Sequence, residues 1–337
     1  MTDQFLNSLT SAEAERIIES LRMGVPPMGF TLLFTVGRMS ELGQLEGTLT
    51  GTTVAGSGRF LKANYGSGKS HLLKVIREMA LNTGYAVSYI TMDAKGGVRG
   101  NRMDQIFEAV CRGIEVPGGS SRGLARLFHV AVASGVDVDK VVRSTYRIRP
   151  TLMTCDYVAD RFQRGRFFTY RSNRPHFYQL CWDALTDLDE LAKACDLKGL
   201  VLLVDEFEDV VTNLSRSDYQ AAALENLLAF FDGEKFAGLS YFAVTPEFTQ
   251  RWRYMSAGAM LDRQPSFALT PPDRADIKRL ALTIRSVHAI AYDLEPEEIL
   301  SDGALEREVE KLLRTSSQDR IRQTIEGIVE VLDDAAE

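Results

Sequence analysis

The chain has 337 residues, 45% of them hydrophobic and 25% charged, which is enough to bury a large core and to form two domains or one elaborated domain. Its 39 Lys and Arg against 46 Asp and Glu give a net charge of -7, which excludes a whole-chain positive field for nucleic acid or an anionic membrane, so any DNA contact needs a local patch. No stretch approaches the roughly 18 apolar residues of a membrane span, and the first residues lack the basic start and apolar run of a signal peptide, so a cytoplasmic protein with no membrane partner is expected. Cys111, Cys155, Cys181 and Cys195 lie far apart without a C-x-x-C pair, which argues against a zinc site or a disulfide framework and for buried thiols.

In chain order, residues 11 to 23 predict a short amphipathic helix, with Ser11 as N-cap, Ala14, Ile17, Ile18 and Leu21 on one face, and a stop near Gly24. A turn-rich segment containing "FTVGRMSEL" follows. Residues 59 to 65 predict a strand, and after Lys69 the residues Leu72, Val75, Ile76 and Met79 recur at helical spacing until "NTG". A second strand is expected at 85 to 93, a continuous apolar run reaches "LVLLVDE", and further strands are expected at 239 to 245 and 266 to 270.

Residues 94 to 199 are too long for a simple strand-to-helix connection and carry helical patterns near 102 to 113, 121 to 134, 155 to 164 and 176 to 197, so a helical insertion is expected there. From Pro271 onward Ile277, Leu280, Ala281 and Ile284, then Ile321, Ile325, Ile328 and Val329, are in helical phase. The expected architecture is therefore an α/β parallel sheet of at least five strands flanked by helices. Its expected divisions are an N-terminal segment at 1–58, a core at 59–271 and a small helical domain at 272–337.

The stretch "KANYGSGKSHLL" matches the phosphate-loop pattern G-x-x-x-x-G-K-[ST] except that Ala63 stands at its first position. A triphosphate needs exposed backbone N–H groups, a helix N-terminus aimed at the charge and one cation for the outer phosphates. Gly66, Ser67, Gly68, Lys69, Ser70 and His71 form that strand-to-helix turn, with Lys69 as the cation and Ser70 as a hydroxyl ligand for Mg²⁺. Alanine is acceptable at 63 provided its φ is negative.

Asp205 ends the apolar strand, where its carboxylate can hold Mg²⁺, and Glu206 follows as a candidate base for the attacking water. Glu208 and Asp209 are expected to be surface acids or helix-start residues. Thr245 either orients the hydrolytic water or caps the helix that Pro246 begins. Arg251, Arg253 and Arg263 are candidates for an arginine reaching a neighbouring subunit's γ-phosphate, with Arg263 the preferred one, and Arg320 or Arg322 for one that reports phosphate state. Residues 164 to 178 interleave Arg166 and Arg171 with aromatic residues in an acidic chain, which suits DNA contact, ordinary aromatic packing with salt-bridged arginines, or a protein-binding edge.

Together "NYGSGKSHLL", "LLVDEFEDV", "FAVTPEF" and "RIRQTIEGIVEVLD" resemble the AAA+ ATPases of the origin-recognition and helicase-loader branch. The opening "RIIESLRMGVPP", "TVGR" and "GSGKSHLLKVI" are similar to the ATP-binding proteins of bacteriophage-exclusion (BREX-type) defence systems. The resemblance implies ATP and Mg²⁺ as cofactors, Lys69 on the β and γ phosphates, Ser70 and Asp205 around Mg²⁺, Glu206 as base, Thr245 as a first sensor and Arg320 as a second. It places Val36 and Arg38 by the adenine and makes 272–337 a helical lid. It also implies a homo-oligomeric, DNA-associated ATPase with defence-system partners, or alternatively an ATP-dependent assembly switch with little turnover.

Overall fold

The computed structural model describes residues 5–51, 58–92, 98–119, 121–141, 175–315 and 320–336. In chain order these hold α1 (Ser11–Arg22), a 3₁₀ turn (Thr31–Phe34), α2 (Met39–Thr50), β1 (Gly58–Lys62), α3 (Lys69–Asn82), β2 (Ala86–Thr91), α4 (Met103–Gly113) and β3 (Ile114–Glu115). There follow α5 (Leu124–Ala133), α6 (Val138–Val141), α7 (Pro175–Ala194), β4 (Leu200–Asp205), α8 (Phe207–Thr212), α9 (Ser217–Ala229) and β5 (Leu239–Val244). The chain closes with α10 (Pro246–Arg251), α11 (Ser256–Leu261), β6 (Ser266–Ala268), α12 (Arg274–Tyr292), α13 (Pro296–Ile299), α14 (Asp302–Thr315) and α15 (Arg320–Ala336).

Two compact units share these elements. One comprises Met1–Gln44, Ala63–Glu78 and Leu269–Glu337, the other Leu45–Lys62 and Met79–Ala268.

The second unit contains a six-stranded sheet in the order β3-β2-β4-β5-β1-β6. All pairs are parallel except β2 with β3, which is antiparallel. β3 is a strand the sequence pattern missed, because two residues at a helix end leave no period to read. Every residue of β4 and β5 is buried, which explains their continuous apolar sequences. Phe60, Phe207, Phe230 and Phe242 are fully buried in one core, with Phe207 edge-on to Phe242 and to Phe248 at centroid separations of 5.6 and 6.2 Å. Burying such a ring stabilises the fold by about 1.5–3 kcal/mol. Here it also anchors the first residue of α8 against β5.

In the first unit, α1 and the helices α12 to α15 enclose a separate apolar core built on Ile17, Ile18, Ile284, Val309 and Val329. The N-cap of α1 is Thr10 rather than Ser11: its Oγ1 accepts the Glu13 N–H at 3.3 Å while the Glu13 carboxylate accepts the Thr10 N–H at 3.0 Å. The T-x-x-E spacing makes Thr10 the better cap, since both orphan donors are satisfied reciprocally. The helical pattern at 155 to 164 and the arginine-aromatic segment from 164 to 174 lie outside the described residues, as do the side chains of 175 to 178.

Candidate nucleotide site

The glycine-rich loop leaves the carboxyl end of β1 at Ala63, a buried residue. Among described non-glycine residues only Asp196, Glu206 and Asp293 have positive φ, so Ala63 satisfies the condition under which its methyl group is tolerated. Gly66 and Gly68, at φ 74° and 87°, carry the left-handed conformations that would strain any other residue. The Lys69 Nζ donates to the Ala63 carbonyl at 2.8 Å and sits 4.7 Å from the centre of the Tyr65 ring. Thus the loop's cation folds back along its inner edge. Ser70 is exposed in the first turn of α3, while Ser67 is buried.

Burial of Ser67 has a specific partner. Arg38 is buried, and its guanidinium donates to the Ser67 carbonyl at 3.0 Å and to the Thr270 carbonyl, with the Glu41 carboxylate 3.4 Å away. Burial lowers the pKa of this guanidinium, and Glu41 opposes that shift, yet arginine stays charged at any ordinary pH. Gly37, at φ 67°, has no room for a side chain, because a Cβ there would lie 2.4 Å from an Asp276 carboxylate oxygen. The glycine of "TVGR" therefore delivers Arg38 beneath the loop.

The same segment grips α3. Glu78, a buried carboxylate, accepts from Gly29 N at 2.8 Å, from Thr31 N at 2.9 Å and from Thr31 Oγ1 at 2.5 Å. His71 lies 2.9 Å from Thr35 Oγ1. Because the Thr35 hydroxyl already donates to the Thr31 carbonyl at 2.9 Å, it accepts here, and Nε2 carries the imidazole proton. Burial, with Lys74 and Arg38 nearby, pushes the His71 pKa down to about 4.

In the second unit β4 ends on Asp205, which is buried. Its Oδ2 accepts the Tyr89 hydroxyl at 2.8 Å and its Oδ1 accepts the Glu206 N–H at 3.1 Å. Burial raises the Tyr89 pKa first, and the charges of Asp205 and Glu206 raise it further, so the phenol remains a proton donor. Glu206 is exposed and left-handed at φ 59°, a conformation that costs about 1 kcal/mol for a residue with a Cβ. It persists because Asp205 and Phe207 on either side are fixed by hydrogen bond and by burial.

Glu208 lies in the first turn of α8, as one reading of the sequence expected, but it is buried and not a surface acid. Its Oε2 accepts the Thr245 N–H at 2.8 Å and the Thr245 hydroxyl at 2.5 Å. Thr245 does occupy the N-cap position of α10, yet its side chain makes no capping bond. Its hydroxyl is committed to Glu208 instead.

The three arginines separate clearly. All three are exposed, but Arg253 pairs with Asp262 and Arg251 stacks beside Trp252 at 5.4 Å, while Arg263 follows α11. Arg320 begins α15, and its side chain lies outside the described residues. Among the described residues no cluster of three His, Cys, Asp or Glu side chains forms a metal cage. A strand-end carboxylate is chemically suited to Mg²⁺, a hard cation that takes one or two carboxylates and keeps several waters.

A mostly parallel sheet flanked by helices, with a glycine turn and lysine between β1 and α3, defines an α/β protein compatible with a P-loop-like fold. Residues 9–127 match the family model of the BREX system ATP-binding protein BrxC/D, so the chain resembles the BREX ATP-binding proteins over roughly a third of its length. The matched stretch includes Arg38, the glycine-rich loop and Tyr89, and ends before Asp205, Glu208 and Thr245. No curated protein and no solved structure matches the chain. No described helix is long and apolar enough to cross a membrane.

Proposed function

We propose that the protein binds ATP with Mg²⁺ and hydrolyses it, as an AAA+-type ATPase acting in a phage-defence system. The observation that carries this reading is the loop itself: left-handed Gly66 and Gly68, and Lys69 at the start of α3, with Ala63 free of backbone strain. Lys69 would release the Ala63 carbonyl to meet the outer phosphates, and Gly68 and Ser70 would present backbone N–H groups. The Ser70 hydroxyl and the Asp205 carboxylate would hold Mg²⁺, which neutralises charge on the β and γ phosphates when bound. Glu206 would take the proton of the attacking water and Thr245 would orient that water. Parallel strands β1, β4 and β5 end on one edge of the sheet, where ligands of open α/β sheets bind.

With Arg253 paired to Asp262 and Arg251 beside Trp252, exposed Arg263 is the arginine best suited to act on a neighbouring subunit, which entails a homo-oligomer. Arg320 as a phosphate sensor, a lid role for α12 to α15, a cytoplasmic location, and DNA and other defence-system proteins as partners complete the reading. Calorimetry of Lys69→Ala and phosphate release by Glu206→Gln test it. Lys69→Ala is expected to lose tight ATP binding, and Glu206→Gln to keep binding while slowing turnover about a hundredfold. Undiminished affinity in the first variant removes the site. Binding without turnover in the parent protein leaves an ATP-dependent assembly switch.

A further inference from the structure

We infer that Glu208 is a positioning residue for hydrolysis, holding Thr245 as a pure hydrogen-bond acceptor toward the attacking water. This rests on the hydrolytic reading above and assigns a residue and a polarity to it.

The geometry fixes the direction of the bond. Glu208 Oε2 already accepts the Thr245 backbone N–H at 2.8 Å, so it presents lone pairs, and the hydroxyl 2.5 Å away must be the donor. Thr245 Oγ1 has one proton, and that proton is committed. What remains on Oγ1 is its acceptor capacity, which can receive a proton of a water molecule but cannot donate to a phosphate oxygen. A threonine that read the γ-phosphate directly would need its hydroxyl proton free.

Two further observations show that the arrangement is built and not incidental. Both partners are buried, with Glu208 7% and Thr245 8% exposed, so solvent competes poorly for the pair. The alternative use of Thr245, capping α10, is not taken up by its side chain although it occupies the cap position. Glu208 lies two residues beyond Glu206, and Phe207 between them is clamped by Phe242 and Phe248. The proposed base at the N-cap of α8 and the group that polarises Thr245 in its first turn are therefore held by one short helix.

The test is steady-state ATP turnover and nucleotide affinity for the parent, Glu208→Gln, Glu208→Ala, Thr245→Val, Thr245→Ser and the Glu208→Ala/Thr245→Val pair, each with its thermal midpoint. Expected are a fall in kcat of about tenfold or more for Glu208→Ala and Thr245→Val with KM unchanged, and a double variant no slower than the worse single one. Thr245→Ser, which keeps the hydroxyl, is expected to retain most of the rate. Glu208→Gln keeps an acceptor oxygen without the charge, so it folds if the site is merely structural and is expected to lose an intermediate share of kcat. Parent-like turnover in Glu208→Gln and Glu208→Ala overturns the inference, as do multiplicative losses in the double variant. A parent without turnover overturns the hydrolytic reading itself, which keeps the two failures distinct.

Discussion

The Tyr89 hydroxyl on β2 donates to Oδ2 of Asp205 on the neighbouring strand β4, at 2.8 Å, and so sets the orientation of the carboxylate from the side. With Oδ1 held by the Glu206 N–H, each oxygen keeps a lone pair in a defined direction. In the proposed role of Asp205 as a Mg²⁺ ligand, a group that orients the carboxylate is expected to govern affinity by about tenfold or more. Tyr89→Phe preserves the ring and its packing while freeing Asp205 to rotate. The Mg²⁺ concentration for half-maximal ATP turnover is therefore expected to rise about tenfold, with the thermal midpoint nearly unchanged. A Mg²⁺ titration of parent and variant checks this.

Arg38 provides a test of how the loop is supported. Its contacts are carbonyls of Ser67 and Thr270 and the Glu41 carboxylate, so its removal would loosen the backbone under the glycine-rich loop. A role by the adenine, which the family resemblance implies, would instead show as a loss confined to adenine nucleotides. Arg38→Ala is expected to weaken ATP and GTP by the same factor, on the order of tenfold, given that a charge-assisted hydrogen bond contributes about 1.5–3 kcal/mol. Competition binding with both nucleotides measures the ratio.

Much of this was legible in the sequence because the strongest signals are local. Apolar β4 and β5, the glycine turn and the helix after Lys69 each follow from a few adjacent residues, and the structure places them within one or two residues of expectation. What sequence could not supply is pairing across distant segments. Nothing in "DEFED" distinguishes a surface Glu208 from one that meets Thr245, 37 residues away. Nor does "TVGR" reveal that Arg38 reaches the carbonyl of Ser67, 29 residues on. Hydropathy treats both as polar, whereas the fold buries them against partners distant in the chain.

Glu78 illustrates the energetic side of the same point. Its carboxylate is buried and satisfied by the amides of Gly29 and Thr31 and by the Thr31 hydroxyl. Those donors sit at the start of the 3₁₀ turn, where they have no helical partners of their own. Glu78→Ala would leave the buried Thr31 amide unsatisfied, at a cost of about 1–3 kcal/mol, while the exposed Gly29 amide meets solvent and the Thr31 hydroxyl keeps the Pro27 carbonyl at 3.1 Å. Chemical denaturation is expected to show that loss with little change in slope. Thr31→Val, which removes a single donor, should cost less.

His71 gives the protein a pH dependence whose sign can be worked out. Its pKa falls from an ordinary value of 6.5 to about 4 on folding, through burial first and then the positive charges of Lys74 and Arg38. Between those values the unfolded chain binds a proton that the folded chain does not, so stability increases with pH across the window and is lost as pH falls through it. Above 6.5 both states are neutral at this position and it contributes nothing. Carboxylates also titrate at the acid end, so the comparison must be with His71→Gln, whose amide can still donate to Thr35 Oγ1 but carries no titrating group. The parent is expected to lose stability relative to that variant from pH 6.5 downward, by on the order of 1 kcal/mol near pH 4.5 after allowance for partial solvent screening. Parallel stability curves for parent and His71→Gln over this range would mean that His71 becomes protonated without unfolding cost.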